Sequence, residues 1–305
     1  MEILDLLEYK EERFKTAVAL GNFDGIHLGH QKLINYMVNR SKEIGVKPSL
    51  LLFKNHTKKT ISRNSPKIIT INEQKFKIAE DLGVEIIYLL DFDENIMKLS
   101  GEKFVEDIIL DKINAKLVTI GFDYRFGFKA SGDANYLIEL GKKYDFEVKV
   151  VEPVYVDDKI VSSSRIRELI SEGKVEEARK NLGRPYSFIG KVIPGSKRGT
   201  ELGFPTANIQ LLDNFVIPKT GVYLTNTIIN NVKYVSATNI GYNPTFDENK
   251  LKIETHILDF TDNIYGKNIE IEFIKFIRDD IKFNNPKDLI RQMKQDIEEI
   301  RKASY

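Results

Sequence analysis

In the first half of the chain, apolar residues fall into short unbroken runs at 16–20, 49–53, 84–90, 116–120 and 146–151. Between these runs they recur every three or four positions. In 28–44, for example, Leu28, Leu33, Ile34, Met37 and Val38 form one helical stripe, and 74–82, 102–113 and 135–144 read the same way. Uniformly apolar strands separated by helices predict a parallel sheet covered on both faces. Two short helices follow, near 164–171 and 175–182. After Gly183 the pattern changes to strand-like segments at 186–193, 221–229, 232–240, 251–258 and 268–277, with no helices between them. Such a run predicts an antiparallel barrel or sandwich. Asn230-Asn231 predicts a tight hairpin, since Asn tolerates positive φ. A last helix carries Leu289, Ile290, Met293, Ile297 and Ile300 on one side, and Asn285-Pro286 supplies a cap and a helix-first proline. The pattern places a boundary near 183–186 and two domains, residues 1–183 and 184–305.

The length of 305 residues agrees with two domains, and 42% hydrophobic and 30% charged residues leave both able to bury a core. A net charge of +1 with dispersed lysines predicts no nucleic-acid partner. No run of about 18 apolar residues occurs, which predicts no membrane-spanning helix. The acidic first twelve residues do not read as a signal peptide. The absence of cysteine excludes disulfides, thiolate metal sites and cysteine nucleophiles, and fits a cytoplasmic protein.

Candidate chemistry lies first in the turn Gly21-Asn22-Phe23-Asp24-Gly25-Ile26-His27-Leu28-Gly29-His30, between a strand and a helix. Its glycines let backbone approach a ligand, and the helix start presents free N–H groups to phosphate. His27 and His30, two of only four histidines, share one helical face and are placed to donate hydrogen bonds to a triphosphate. The competing readings are a plain glycine turn and, more weakly, a zinc site without a clear third ligand. Ser162-Ser163-Ser164-Arg165-Ile166-Arg167 reads as a helix cap, or as phosphate donors with the Arg167 guanidinium as a fork. Further on, Gly195, Arg198, Gly199 and Gly203 lie in a glycine-rich basic stretch that suits either a nucleotide phosphate loop or an ordinary surface loop. Next comes Pro205-Thr206-Ala207-Asn208. Read as strand, it points Thr206 and Asn208 the same way, two neutral oxygens of the kind that hold magnesium (Mg2+) alongside phosphate and water.

These segments together resemble a known family, the bacterial bifunctional riboflavin kinase/FAD synthetases. The histidine turn is similar to the H-x-G-H signature of nucleotidyltransferases, and Gly21–Ile34 resembles the family throughout. Gly121-Phe122-Asp123-Tyr124-Arg125-Phe126-Gly127, the serine–arginine segment, Pro205-Thr206-Ala207-Asn208, Glu254-Thr255-His256 and 278–283 resemble its further motifs in the family's order. The chain departs from the pattern at Asn55 and Thr57, where the family often has prolines flanking His56, and at Phe122, where it often has Glu.

The resemblance implies a Rossmann-like nucleotidyltransferase domain followed by a six-stranded antiparallel riboflavin kinase barrel and a C-terminal helix. It implies ATP-dependent conversion of riboflavin to FMN and of FMN to FAD. On the adenylyltransferase side it assigns Gly21, Phe23, Asp24, Gly29, Ser163 and Ser164 to ATP, His27, His30 and Arg167 to catalysis, and His56, Asp123 and Arg125 to the flavin. On the kinase side it makes Glu254 the general base and puts Arg278 and Phe283 beside the flavin. The implied partners are riboflavin, FMN, FAD and ATP, and a weak homo-oligomer is compatible with the sequence. Two rival readings stay open: a riboflavin kinase with a decayed adenylyltransferase site, and a flavin-binding sensor without turnover.

Overall fold

The computed structural model describes residues 1–6, 8, 14–54, 66–195, 199, 202–242, 251–283 and 285–304. By contact the chain divides into two units, Met1–Pro66 with Ile71–Ser162, and Lys67–Thr70 with Ser163–Tyr305.

The first unit is built on a parallel sheet in the order β1-β4-β3-β2-β5-β6. Its strands are β1 (Glu2–Asp5), β2 (Thr16–Leu20), β3 (Lys47–Phe53), β4 (Ile86–Leu90), β5 (Ala115–Gly121) and β6 (Glu147–Val151). Every residue of β2 is buried, which is why its sequence shows no alternation. Between the strands run α1 (Leu28–Ile44), α2 (Asn72–Asp81), α3 (Glu94–Lys98), α4 (Gly101–Lys103) and α5 (Ala134–Tyr144). α1 lays Leu33, Ile34, Met37 and Val38 against one sheet face and ends at Gly45, which takes the left-handed φ of 68°. The predicted helix over 102–113 differs in winding. After α4 the stretch Phe104–Lys112 is a π-helix, in which the wider turn still buries Phe104, Val105, Ile108 and Ile109 in the opposite core. The edge strand β1 was not predicted, because four residues with acids at both ends carry too little pattern. A small hairpin, β7 (Tyr155–Val156) and β8 (Lys159–Ile160), leads out of the sheet.

The second unit opens with α6 (Ser163–Ser171) and α7 (Val175–Leu182), followed by a closed six-stranded antiparallel barrel in the order β10-β13-β12-β11-β14-β9. Its strands are β9 (Tyr186–Ile193), β10 (Ala207–Leu211), β11 (Gly221–Ile229), β12 (Val232–Tyr242), β13 (Leu251–Ile257) and β14 (Asn268–Arg278). Asn230 and Asn231 have φ of 50° and 65°, so the predicted β11–β12 hairpin turn forms as expected. At β9, Gly190 lies so close to β10 that a Cβ would meet the Ile209 side chain at 2.3 Å, so barrel closure requires glycine there. Among the described residues the barrel interior carries a hydroxyl cluster, in which Thr225, Thr227, Ser236, Thr238 and Thr255 satisfy one another and backbone carbonyls.

The last helix, α8 (Pro286–Ala303), begins with the Asn285 side chain accepting from the Asp288 N–H. It packs Ile297 and Ile300 on Leu224, Val235, Ala237 and Leu258, the outward residues of the barrel wall. A bidentate pair fixes it: Arg278 Nε and Nη2 donate to the Asp296 carboxylate at 2.8 and 2.7 Å, and Asp296 is buried. Asp296→Ala would strand the half-buried Arg278 guanidinium. We expect it to cost about 3 kcal/mol of barrel stability, read as a lower denaturation midpoint of that unit.

Candidate functional sites

The first site grows from the end of β2. Strand order reverses between β2 and β5, and a crevice forms at the carboxyl ends of such neighbouring strands. Both conspicuous turns emerge there: Gly21–His30 after β2, and the stretch beginning at Gly121 after β5. The first turn is strained. Phe23 and the β-branched Ile26 have φ of 48° and 34°, each costing roughly 1–3 kcal/mol. Complete burial of both side chains offsets the strain.

His27 is the N-cap of α1. Its Nδ1 accepts from the His30 N–H at 3.4 Å, and the two imidazoles stack with centroids 3.8 Å apart. Gly29 gives the His27 ring room, since a Cβ there would meet it at 3.2 Å. Burial holds the His30 pKa well below the ordinary imidazole value, and the nearby His27 and Lys75 charges push the same way. The ring is therefore neutral at physiological pH. Its Nδ1 is buried and has no partner among the described residues. Asp24 is also buried.

Lys75, on α2, was not singled out from the sequence. It is 9% exposed, and its Nζ donates to Asn72 Oδ1 at 3.3 Å. Burial lowers its pKa, and the Asp24 carboxylate opposes that shift. A buried cation thus stands near a buried acid, the neutral His30 imidazole and the buried His27 ring. Its neighbours Gln74 and Lys77 made it look like an ordinary solvated position.

Asp123 and Arg125 project from the β5 turn into solvent, with Arg125 Nη1 lying 3.9 Å from Asp133 Oδ2. Phe122 is also exposed. His56 lies outside the described residues. Ser163 and Ser164 open α6, and Arg167 Nε donates to the Lys67 carbonyl at 2.8 Å. By contact these last residues belong to the second unit, whereas the histidine turn belongs to the first.

The second site is on the outer wall of the barrel. Along β13, Ile253, Thr255 and Ile257 face inward, so Glu254 and His256 face outward. Register sets Asn208 of β10 directly opposite Glu254, which puts the two side chains on one face. Lys252 Nζ lies 2.9 Å from Glu254 Oε2. His256 Nδ1 hydrogen-bonds the Pro205 carbonyl at 2.7 Å, and its ring meets Phe204 edge-on, which anchors the segment carrying Thr206 and Asn208. A Cβ at Gly195 would fall 2.0 Å from the Asn208 amide, and one at Gly199 would fall 2.4 Å from the Phe204 carbonyl. Close approach of backbone therefore requires glycine at 199, a side chain at 195 would displace the Asn208 amide, and Gly203 supplies a turn at φ 85°. Arg198 lies outside the described residues. Phe283 is half-buried between β14 and α8, and Arg278 is committed to Asp296.

Asn208 brings a neutral oxygen opposite the Glu254 carboxylate, Thr206 offers a second two residues before it, and no cluster of three acidic, His or Cys ligands occurs among the described residues. That donor set fits a hard cation that arrives with phosphate and water oxygens, as magnesium does.

Comparison with known proteins gives the same order. A family model described as FAD synthetase matches residues 9–165, and one described as riboflavin kinase matches residues 182–304. A protein of Buchnera aphidicola subsp. Schizaphis graminum, named bifunctional riboflavin kinase/FMN adenylyltransferase, is 38% identical over 96% of this chain and 95% of its own. A protein of the same name from Bacillus subtilis is 38% identical over 95% of this chain and 93% of its own. A crystal structure described as a macrolide-efflux protein from Streptococcus pneumoniae superposes with a TM-score of 0.90 at 32% identity, covering 99% of both chains. Among the described residues here, no helix is long and apolar enough to cross a membrane.

Proposed function

Because the chain belongs to the family of bifunctional riboflavin kinases/FMN adenylyltransferases, we propose how its residues divide the two reactions. It phosphorylates riboflavin to FMN and adenylylates FMN to FAD, with ATP as co-substrate in both steps.

In the kinase half, Glu254 takes the proton from the 5′-hydroxyl of riboflavin as that oxygen attacks the γ-phosphorus, and ADP leaves. Thr206 and Asn208 would hold magnesium, which when bound screens the polyphosphate charge. The loop with Gly195, Arg198, Gly199 and Gly203 receives the nucleotide phosphates, and Lys252 keeps Glu254 turned toward the site. Arg278 acts by holding α8 in place beside the flavin, with Phe283 covering the ring. The observation that carries this reading is the register that sets Asn208 opposite Glu254.

In the adenylyltransferase half, the FMN phosphate attacks the α-phosphorus of ATP and pyrophosphate leaves. The nucleophile is already an anion, so the protein supplies charge stabilisation and no base. The N-terminus of α1, with its exposed N–H groups, receives the phosphates together with Gly21, Phe23, Asp24 and Gly29. His27 and neutral His30 donate hydrogen bonds and Lys75 adds a buried positive charge; Ser163, Ser164 and Arg167 are assigned to the nucleotide by their likeness to the family's motif. His56, Asp123 and Arg125 take the flavin side. The functional boundary is proposed at 183/184, so α6 and α7 serve the adenylyltransferase although they group by contact with the barrel.

A cytoplasmic location is supported by the cysteine-free composition, and the net charge of +1 supports the absence of a nucleic-acid partner. Incubation with riboflavin, ATP and magnesium, with products separated by chromatography, is expected to yield FMN and then FAD. FMN alone would indicate a decayed adenylyltransferase site, and no ATP consumption would indicate a flavin sensor.

A further inference from the structure

Asn239 lies on β12 directly opposite Glu254, as Asn208 does on the other side, so three polar side chains stand in a row across β10, β13 and β12. The inward residues of β12 are Ser236, Thr238 and Ile240, which leaves Asn239 on the outer face. Along that face Val235 and Ala237 lie beneath α8, and Asn239 is the first residue beyond them. Its Oδ1 is buried and has no hydrogen-bond partner among the described residues. A buried carbonyl oxygen left unpaired costs roughly 1–3 kcal/mol and calls for an explanation.

The row continues through Val222 of β11 to Arg278 of β14, so Asn239 stands between Glu254 and the segment that begins at Arg278. Strands are spaced about 4.8 Å apart, which puts Asn239 one strand away from the base and on the way to the flavin side. The part of riboflavin that must cross this interval is its polyhydroxyl side chain, whose hydroxyls are donors. Beyond Asn239 on the same face, Gly241 projects no side chain, and a Cβ there would first meet Asp280 Oδ2 at 3.4 Å.

We propose that Asn239 is a specificity-determining residue of the kinase site, its side-chain oxygen accepting a hydrogen bond from the 4′- or 3′-hydroxyl of riboflavin and so aligning the 5′-hydroxyl on Glu254. The inference rests on the kinase site placed at Thr206, Asn208 and Glu254.

The test compares wild type, Asn239→Ala and Asn239→Ser on riboflavin, 4′-deoxyriboflavin and 3′-deoxyriboflavin, with magnesium and ATP. For riboflavin, kcat/KM should fall roughly ten-fold or more in Asn239→Ala, while the KM for ATP stays unchanged. For one of the deoxy analogues, wild type and Asn239→Ala should be equally slow. Asn239→Ser, which keeps an acceptor, should recover part of the loss on riboflavin. Without ligand, Asn239→Ala should melt no lower than wild type, because it removes an unpaired buried oxygen, yet its stabilisation by added riboflavin should shrink. An unchanged kcat/KM, or a loss equal on all three substrates with a lowered Tm, would overturn the inference and make the amide structural. If instead Glu254→Gln left FMN formation intact, the site itself would be misplaced, which is a separable failure.

Discussion

Glu254→Gln is expected to lower the rate of FMN formation by about 10²–10⁴-fold, with FAD formation from supplied FMN unchanged. The amide keeps the size of the carboxylate and its place opposite Asn208 and Asn239, but it cannot take the hydroxyl proton. The ion pair with Lys252 is also lost. That pair is partly exposed, so its contribution to stability is small and the barrel should stay folded. Loss of activity with retained thermal stability therefore points to the chemical step. The measurement is separate assay of each half-reaction, riboflavin to FMN and FMN to FAD, by chromatography. Equal loss of both would count against two sites in two units.

His30→Ala should give the converse pattern, with FAD formation from FMN reduced about 10²–10³-fold, the range for removing one preorganised donor, and riboflavin phosphorylation preserved. Its ring stacks on His27 and lies 5.1 Å from the Phe23 ring, so truncation also opens space under a strained turn. His30→Gln refills most of that space and restores a neutral donor. Partial recovery in Gln over Ala would separate hydrogen bonding from packing. Unchanged FAD synthesis in the Ala variant would refute the role given to this histidine.

Much of both sites can be read along the chain because their residues are local. The histidine turn is ten consecutive residues joining a strand to a helix, and Thr206 and Asn208 are two residues apart, although the strand itself begins only at Ala207. What was not legible depends on long-range neighbours. Lys75 stands among Asn72, Glu73, Gln74 and Lys77, a string that reads as a solvated helix face, and only packing in the first unit buries it. The Arg278–Asp296 pair joins residues 18 positions apart on different elements, and no local period announces it. Asn239 looks like any outward strand residue until the register places it beside Glu254.

The alternation of apolar runs and helical stripes was enough, by itself, to determine a parallel α/β unit followed by an antiparallel all-β unit with a capped final helix. Those periods are set by backbone geometry within each element, and burial writes them directly into the residue order. The tertiary structure alone decided the strand order, which sets β2 beside β5 at the point where that order reverses. It also decided the barrel register that aligns Asn208, Glu254 and Asn239, and which lone polar groups end up buried. These depend on pairing between residues distant in sequence. Hydrophobic pattern tells a strand which face to bury but does not name the partner strand or residue it will meet.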